Sequence, residues 1–260
     1  MGEAAQGGEA ISIVMPVFNE APVIAGVTKE TLREVVHKLP GSELIIVDDG
    51  STDATPRLVD EIAAHEPAVR VIHSPINNGH GPSLVIGLEE ASRDWILLID
   101  SDGQIPVGDF WKLWNRRQEA DLVLGNRVNR HDPVHRLALA KLVRLVVSRI
   151  GGRRVLDPNV PFKLMRSEVW RDLDRYIDRS ALAPSILIVL GALMRWWRID
   201  SVPVEHRPRR HGTSTLRLGT LVVFSWRGLR QLVAFRSSLR AAPSRTTDPS
   251  PSEIASKIRG

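Results

Sequence analysis

The sequence contains no cysteine, which excludes disulfides and cysteine-ligated metal sites and fits a reducing compartment. No apolar run reaches the ~18 to 20 residues of a membrane-spanning helix. The longest, ALAPSILIVLGALM at 181–194, is interrupted by Pro184 and Ser185 and closes on Arg195, so a core helix is expected there. The opening MGEAAQGGEA lacks the basic start and apolar core of a signal peptide, which leads to a cytoplasmic expectation. Its Met-Gly start is not a myristoylation signal, because Gln6 stands where Ser or Thr belongs. There is no internal repeat.

What is present is an ordinary globular balance, 43% apolar and a quarter charged over 260 residues, enough to bury a sizeable core. The net charge of +5 and a pI near 10.0 point to an anionic partner: nucleic acid, a membrane surface or a phosphorylated substrate.

The first half alternates short apolar runs with helical spacing. Strands are expected at 10–18, 43–49, 69–74, 95–100 and 120–127, with helical stretches such as 23–39 and 53–65 between them. Near-continuous apolar strands separated by helices imply a mainly parallel sheet covered on both faces. Ligands of such sheets gather at the carboxyl ends of the strands. Polar residues cluster at those ends: Asn19 and Glu20, Asp48 and Asp49, Asp100 and Asp102, Asn126 and Arg127. The second half is more basic, with helical spacing at 135–154, a strand running into an Arg-rich loop over 196–218, and a basic amphipathic stretch at 221–240.

The segment DSDGQ places two carboxylates one residue apart at the tip of an apolar run. Like charges at that spacing repel unless a cation lies between them, and Mg²⁺ or Mn²⁺ prefers hard oxygen ligands. The alternative is a turn in which Asp caps the next helix. IIVDDGSTD carries Asp48 and Asp49, which either meet a ribose or base edge or form an Asp/Gly/Ser turn. NNGHGPS has Leu84 in place of a third glycine, so a dinucleotide loop is not supported. The arginines of GNRVNRHDPVHR and HRPRRHGTSTLR suit phosphate oxygens or form a solvated basic face. His131, His135, His206 and His211 match no compact zinc spacing and are expected on surface or loops.

ISIVMPVFNE, LIIVDDGSTDAT, NNGHG, LLIDSDGQIP, GNR, DPNVPFKLMR and RRHGTS follow in that order between about residues 11 and 218. The ordered set resembles family 2 glycosyltransferases of the GT-A fold, especially the dolichol-phosphate mannose synthase and polyprenyl-phosphate glycosyltransferase branch. That resemblance implies one GT-A domain over 11–218, preceded by a disordered 1–10 and followed by a basic amphipathic segment at 219–240 and a disordered tail at 241–260. It implies a GDP- or UDP-sugar donor, with Pro16, Phe18, Glu20, Asp48 and Asp49 around the nucleoside and Ser101 beside the metal carboxylates. Asp100, Asp102 and Gln104 would bind Mg²⁺ or Mn²⁺, Arg127 and Arg209 would neutralise phosphate charge, and Arg136 would meet the acceptor phosphate.

The chain departs from the family pattern in Phe18 for a common tyrosine, Ala140 for a frequent serine, and Thr215 where a basic residue is expected. Arg210 or Arg217 would then supply the missing phosphate contact. A lipid phosphate needs cationic orientation more than a general base, and Asp157 is the best base candidate, with shaping of a Pro turn as its alternative role. The Gln-x-x-Arg-Trp signature of processive synthases is absent, QLVAF at 231–235 not matching it, so single transfer with inversion is implied. The stretch from Leu216 to Arg240 either lies on an anionic membrane or packs on the domain. A nucleic-acid partner is not expected, since it leaves the acidic strand tips without a purpose. The rival readings are transfer to a soluble hydroxyl and a non-catalytic relative that binds nucleotide-sugar.

Overall fold

The computed structural model describes residues 9–128, 134–208 and 218–243; for 134–136, 218–226 and 229 only the helical backbone is described. β1 (Ile11–Val17) is buried along its whole length, as its unbroken apolar run requires. It pairs in parallel with β2 (Glu43–Asp48) on one side and β4 (Trp95–Leu98) on the other. β3 (Val69–His73) extends the parallel set beyond β2. The seven-stranded sheet has the order β3-β2-β1-β4-β6-β5-β7.

β5 (Leu122–Val128) and β7 (Ile199–Glu205) are parallel to each other, and β6 (Lys163–Arg166) runs antiparallel to both β4 and β5. β6 is the strand that apolar periodicity does not announce, because a four-residue KLMR with a cation at its start does not read as a buried strand. Its reversal means that β6 begins at the edge where β1, β4 and β5 end.

Helices cover both faces. α1 (Ile24–Glu34) buries Ile24, Val27, Thr28, Thr31 and Leu32, a stripe at i, i+3, i+4, i+7 and i+8. The helical spacing expected over 23–39 divides here, α1 giving way to a single 3-10 turn at Val36–Lys38. α2 (Thr55–His65) starts on a proline in its first turn, where the missing N–H costs nothing. α3 (His80–Glu90) lies close on the sheet because Gly87 has no Cβ; one built there would sit 2.3 Å from Val14 Cγ1. α4 (Phe110–Trp114), α5 (Val134–Gly151) and α6 (Ser167–Leu173) follow.

α7 (Pro184–Met194) is the interrupted apolar run of the sequence, now a helix buried on nearly every side. α8 (Leu218–Arg240) buries Leu232, Phe235 and Leu239, with Phe235 against Gly191 of α7. Its described portion is therefore packed on the domain. Among the described residues no helix is long and apolar enough to cross a membrane.

Candidate active site

β1 is followed in the sheet by β2 on one side and β4 on the other, so the strand order reverses between β1 and β4. The crevice outside the carboxyl ends at such a reversal is where open α/β sheets bind ligands. Two sets of side chains meet there.

The first set closes the ends of β1 and β2. Asn19, held at φ 52°, accepts from the Thr52 N–H at 2.8 Å and the Asp53 N–H at 3.3 Å. Its own N–H donates to Ser51 Oγ at 2.9 Å, and the Glu20 N–H donates to Thr55 Oγ1 at 2.9 Å. Asp48 accepts from the Ser51 N–H at 3.1 Å and shares a 2.8 Å bond with His73 Nδ1, while His73 Nε2 lies 3.0 Å from Asp60. The Asp48 bond, with Asp60 second, raises the His73 pKa above its ordinary value. Asp49 accepts the N–H groups of Asn78 at 2.9 Å and Gly79 at 2.8 Å.

Asp48 and Asp49 are buried at the ends of β1 and β2, where their carboxylates fasten the loops that follow. Pro16 is buried within β1, whereas Phe18 is 41% exposed and Glu20 partly exposed at the crevice.

The second set surrounds a pocket of about 430 Å³ beyond β4. Asp100, Asp102, Gln104 and Arg127 line it together, joined by His80, Asn159, Ser185 and His206, with Ile99, Ile105, Phe162 and Leu182 among its apolar walls. The chain turns at Gly103, φ 67°, and the Gln104 N–H donates to Asp102 Oδ1 at 3.0 Å. Gln104 Nε2 donates to the Arg207 carbonyl at 3.1 Å, and the Arg207 N–H returns to the Gln104 carbonyl at 2.7 Å. This turn is fastened to the exit of β7. Ser101 is buried beside the two carboxylates. His80 Nε2 stands 3.8 Å from Asp100 Oδ1.

Arg127 and Asp157, read from the sequence as a phosphate ligand and a candidate base, face each other: Nε to Oδ2 at 2.7 Å and Nη2 to Oδ1 at 3.0 Å. Both oxygens of Asp157 are held by this fork, so it does not stand ready as a base. Beneath them Lys163 has no exposed surface, and its Nζ donates to the Val160 carbonyl and Ser185 Oγ. Burial pushes its pKa down to about 7; Asp157 and Asp100 oppose that shift and Arg127 adds to it.

Sequence reasoning missed His80, Asn159, Ser185 and Lys163; His206, expected on the surface or a loop, lies in the irregular segment after β7 but is buried and lines the pocket. The usable signals were the glycine-flanked His80 at a helix start and the lone cation in an apolar PFKLM. Arg209, His131, His211, Arg210, Thr215 and Arg217 lie outside the described residues, as do the side chains of His135 and Arg136. Among the described residues no cluster of three or more His, Asp or Glu could hold a metal. Among the described residues a cation in the pocket would draw on two carboxylates, with amide and ligand oxygens completing its shell, a donor set that suits Mg²⁺ or Mn²⁺.

The chain is 27% identical over 215 residues to the undecaprenyl-phosphate 4-deoxy-4-formamido-L-arabinose transferase of Edwardsiella ictaluri (strain 93-146), covering 82% of this chain and 64% of that protein. The protein of the same description from Salmonella choleraesuis (strain SC-B67) is 26% identical over 207 residues, 78% of this chain and 62% of the relative. The chain spans less than two thirds of the length of these relatives. Among solved structures, glucosyl-3-phosphoglycerate synthase from Mycobacterium tuberculosis in complex with phosphoglyceric acid superposes with a TM-score of 0.66 at 22% identity, over 88% of this chain and 81% of that one. The same enzyme with Mn²⁺, uridine-diphosphate and glucosyl-3-phosphoglycerate gives the same score, identity and coverage. At that identity the likeness establishes the fold, GT-A. The family described as Glycosyl transferase family 2 matches residues 12–169, more than half of the sequence, and the chain belongs to it.

Proposed function

We propose that the protein transfers one sugar from a nucleotide-sugar donor, a GDP- or UDP-sugar, to a polyprenyl phosphate, with inversion. The observation that carries this reading is the convergence of Asp100, Asp102 and Arg127 on one pocket at the strand-order reversal. The described relatives support the acceptor class through their undecaprenyl-phosphate descriptions, and the Mn²⁺ and UDP of the structural neighbour support the donor chemistry.

Asp100, Asp102 and Gln104 would hold a divalent cation, Mg²⁺ or Mn²⁺. When bound, that cation supplies Lewis-acid neutralisation of the donor diphosphate. Pro16, Phe18, Glu20, Asp48 and Asp49 would surround the nucleoside, with Ser101 on the donor side beside Asp100 and Asp102. Arg127 would add positive potential beside the diphosphate, tempered by its pairing with Asp157. Arg136 and Arg209 keep the roles the family resemblance implies, at the acceptor phosphate and the donor phosphate. An acceptor phosphate oxygen forms the new bond to the anomeric carbon as the bond to the nucleoside diphosphate breaks, and the electron pair leaves on the diphosphate. That nucleophile is anionic at neutral pH and needs no base, which accords with the engagement of Asp157.

A second reading, transfer to a soluble hydroxyl, is favoured by His80, a potential base in the same pocket. Radiolabelled donor, offered with metal, separates the two. Label in the organic extract of a polyprenyl-phosphate reaction supports lipid transfer; label only in a water-soluble glycoside overturns it.

A further inference from the structure

We propose that Ser185 and Lys163 form an anion-binding contact of the pocket: Ser185 Oγ donates to a phosphate oxygen, and Lys163 fixes the direction of that donation. The inference rests on the phosphate-bearing substrates proposed above and names two residues that serve them. Lys163 opens β6, and because β6 is reversed it starts at the ligand edge, paired with Leu98 of β4 and Leu124 of β5. The side chain has no exposed surface, and its Nζ donates to the Val160 carbonyl and to Ser185 Oγ.

A hydroxyl has one proton to give and two lone pairs that receive. An ammonium has only protons to give, so Ser185 accepts from Lys163 and keeps its own proton for another partner. Among the described residues no protein group takes that proton. Ser185 is 8% exposed and lines the pocket, so the acceptor it lacks is one that a ligand oxygen would supply. Burial works against the Lys163 ammonium and Arg127 adds to that, while Asp157 and Asp100 favour it. An anion in the pocket joins the favourable side, so the ligand and the donating arrangement reinforce each other.

The backbone has the same polarity there. Ala183, at the N-cap of α7, has no side-chain oxygen to cap the first turn, and Pro184 has no N–H. Ser185 therefore carries the first N–H of an eleven-residue helix, and Ala183, Pro184 and Ser185 all line the pocket. The positive end of the helix dipole meets the cavity beside the hydroxyl. Arg127 adds less than its charge suggests, since Asp157 holds its fork. Asp100 and Asp102 line the same pocket and repel a bare anion, so the contact suits a phosphate that arrives with a divalent cation. The donor diphosphate and the acceptor phosphate share this chemistry.

The test uses the full chain with Mn²⁺. Calorimetric titration with UDP and with GDP reads the donor side, and the KM for a short-chain, water-soluble isoprenyl phosphate reads the acceptor side. Ser185→Ala should weaken one of the two about tenfold or more. The loss falls on diphosphate binding if the contact serves the donor, and on the isoprenyl phosphate KM if it serves the acceptor. Ser185→Thr keeps a hydroxyl and should restore most of the loss; Lys163→Met leaves the hydroxyl unoriented and should give a smaller loss on the same side. Ser185→Ala/Lys163→Met removes both side-chain partners, so its melting should recover relative to Ser185→Ala, which leaves the ammonium short of an acceptor. Its ligand affinity should stay as weak as that of Ser185→Ala. Affinity that returns with stability in the double variant would mean that the pair only holds the fold, and it overturns the proposal; so do parent-like values on both sides for Ser185→Ala. A parent that binds UDP or GDP but passes sugar only to a soluble hydroxyl sinks the acceptor reading, and a Ser185→Ala loss of diphosphate binding then keeps this contact. A parent that binds neither diphosphate nor isoprenyl phosphate overturns both.

Discussion

Arg127 and Asp157 lie 30 residues apart in the sequence and form a two-pronged ion pair with side chains only 11% and 8% exposed. Such a pair is a modest source of net stability when intact, because desolvation offsets most of the attraction. Breaking it is another matter. Asp157→Asn leaves a guanidinium enclosed without its counter-charge and should cost about 3 kcal/mol or more in urea unfolding. Arg127→Gln/Asp157→Asn should recover part of that loss, the double variant falling short of the sum of the singles by about 1–3 kcal/mol. Strict additivity would mean the two residues do not act together.

The carboxylates at the tip of β4 make a separate prediction. Asp102→Asn keeps the size of the side chain and an acceptor for the Gln104 N–H, but removes the charge a cation would need. Initial rates across a titration of Mn²⁺ or Mg²⁺ should fall about 100-fold or more at saturating metal, equivalent to about 2.7 kcal/mol in the barrier. Parent-like rates would take the cation out of this site.

The two halves of the crevice differ in how far the sequence announces them. β1, β2 and β4 are unbroken apolar runs, and a strand buried on both faces has no other way to look, so the acidic tips at their ends stand out. The far wall of the pocket has no such pattern. Asn159, Ser185 and His206 are single polar residues in irregular segments or at a helix start, and only the reversed strand β6 and the packing of α7 bring them to Asp100. A long-range fork such as Arg127 to Asp157 leaves no periodic trace at all, and each partner alone reads as a ligand contact or a base. The same limit applies to α5. Its apolar stripe is visible in the sequence, but which side of the helix the core takes is decided by tertiary packing.

Lys163 should leave a signature in the pH dependence of stability. Its pKa in the fold is held at about 7 by burial, against an ordinary 10.5. Between those values the unfolded chain binds a proton that the folded one does not, so stability rises with pH across that window. Below about pH 7 both forms are protonated, and the full cost of enclosing the ammonium is present. Lys163→Met removes the group, so the urea midpoint of the variant should rise less than the parent's between pH 7 and pH 10. Equal slopes would show that Lys163 keeps its proton in the fold.

The wall between α3 and α7 depends on a residue with no side chain. A Cβ at Gly81 would lie 2.0 Å from the Ala181 carbonyl oxygen and 2.9 Å from that of Leu182, both backbone atoms that cannot rotate away. Gly81→Ala gains about 1 kcal/mol of helix propensity but must push α3, with His80, away from the segment leading into Pro184 and Ser185. The clash should win, with a net loss of about 2–3 kcal/mol. Gly26→Ala is the matched control: it lies in α1 with nothing within 4 Å of the added methyl, so it should gain about 0.5–1 kcal/mol. Opposite shifts of the two urea midpoints are expected. A Gly81→Ala variant as stable as the Gly26→Ala one would mean that the two helices do not approach through this contact, and the pocket would lose that wall.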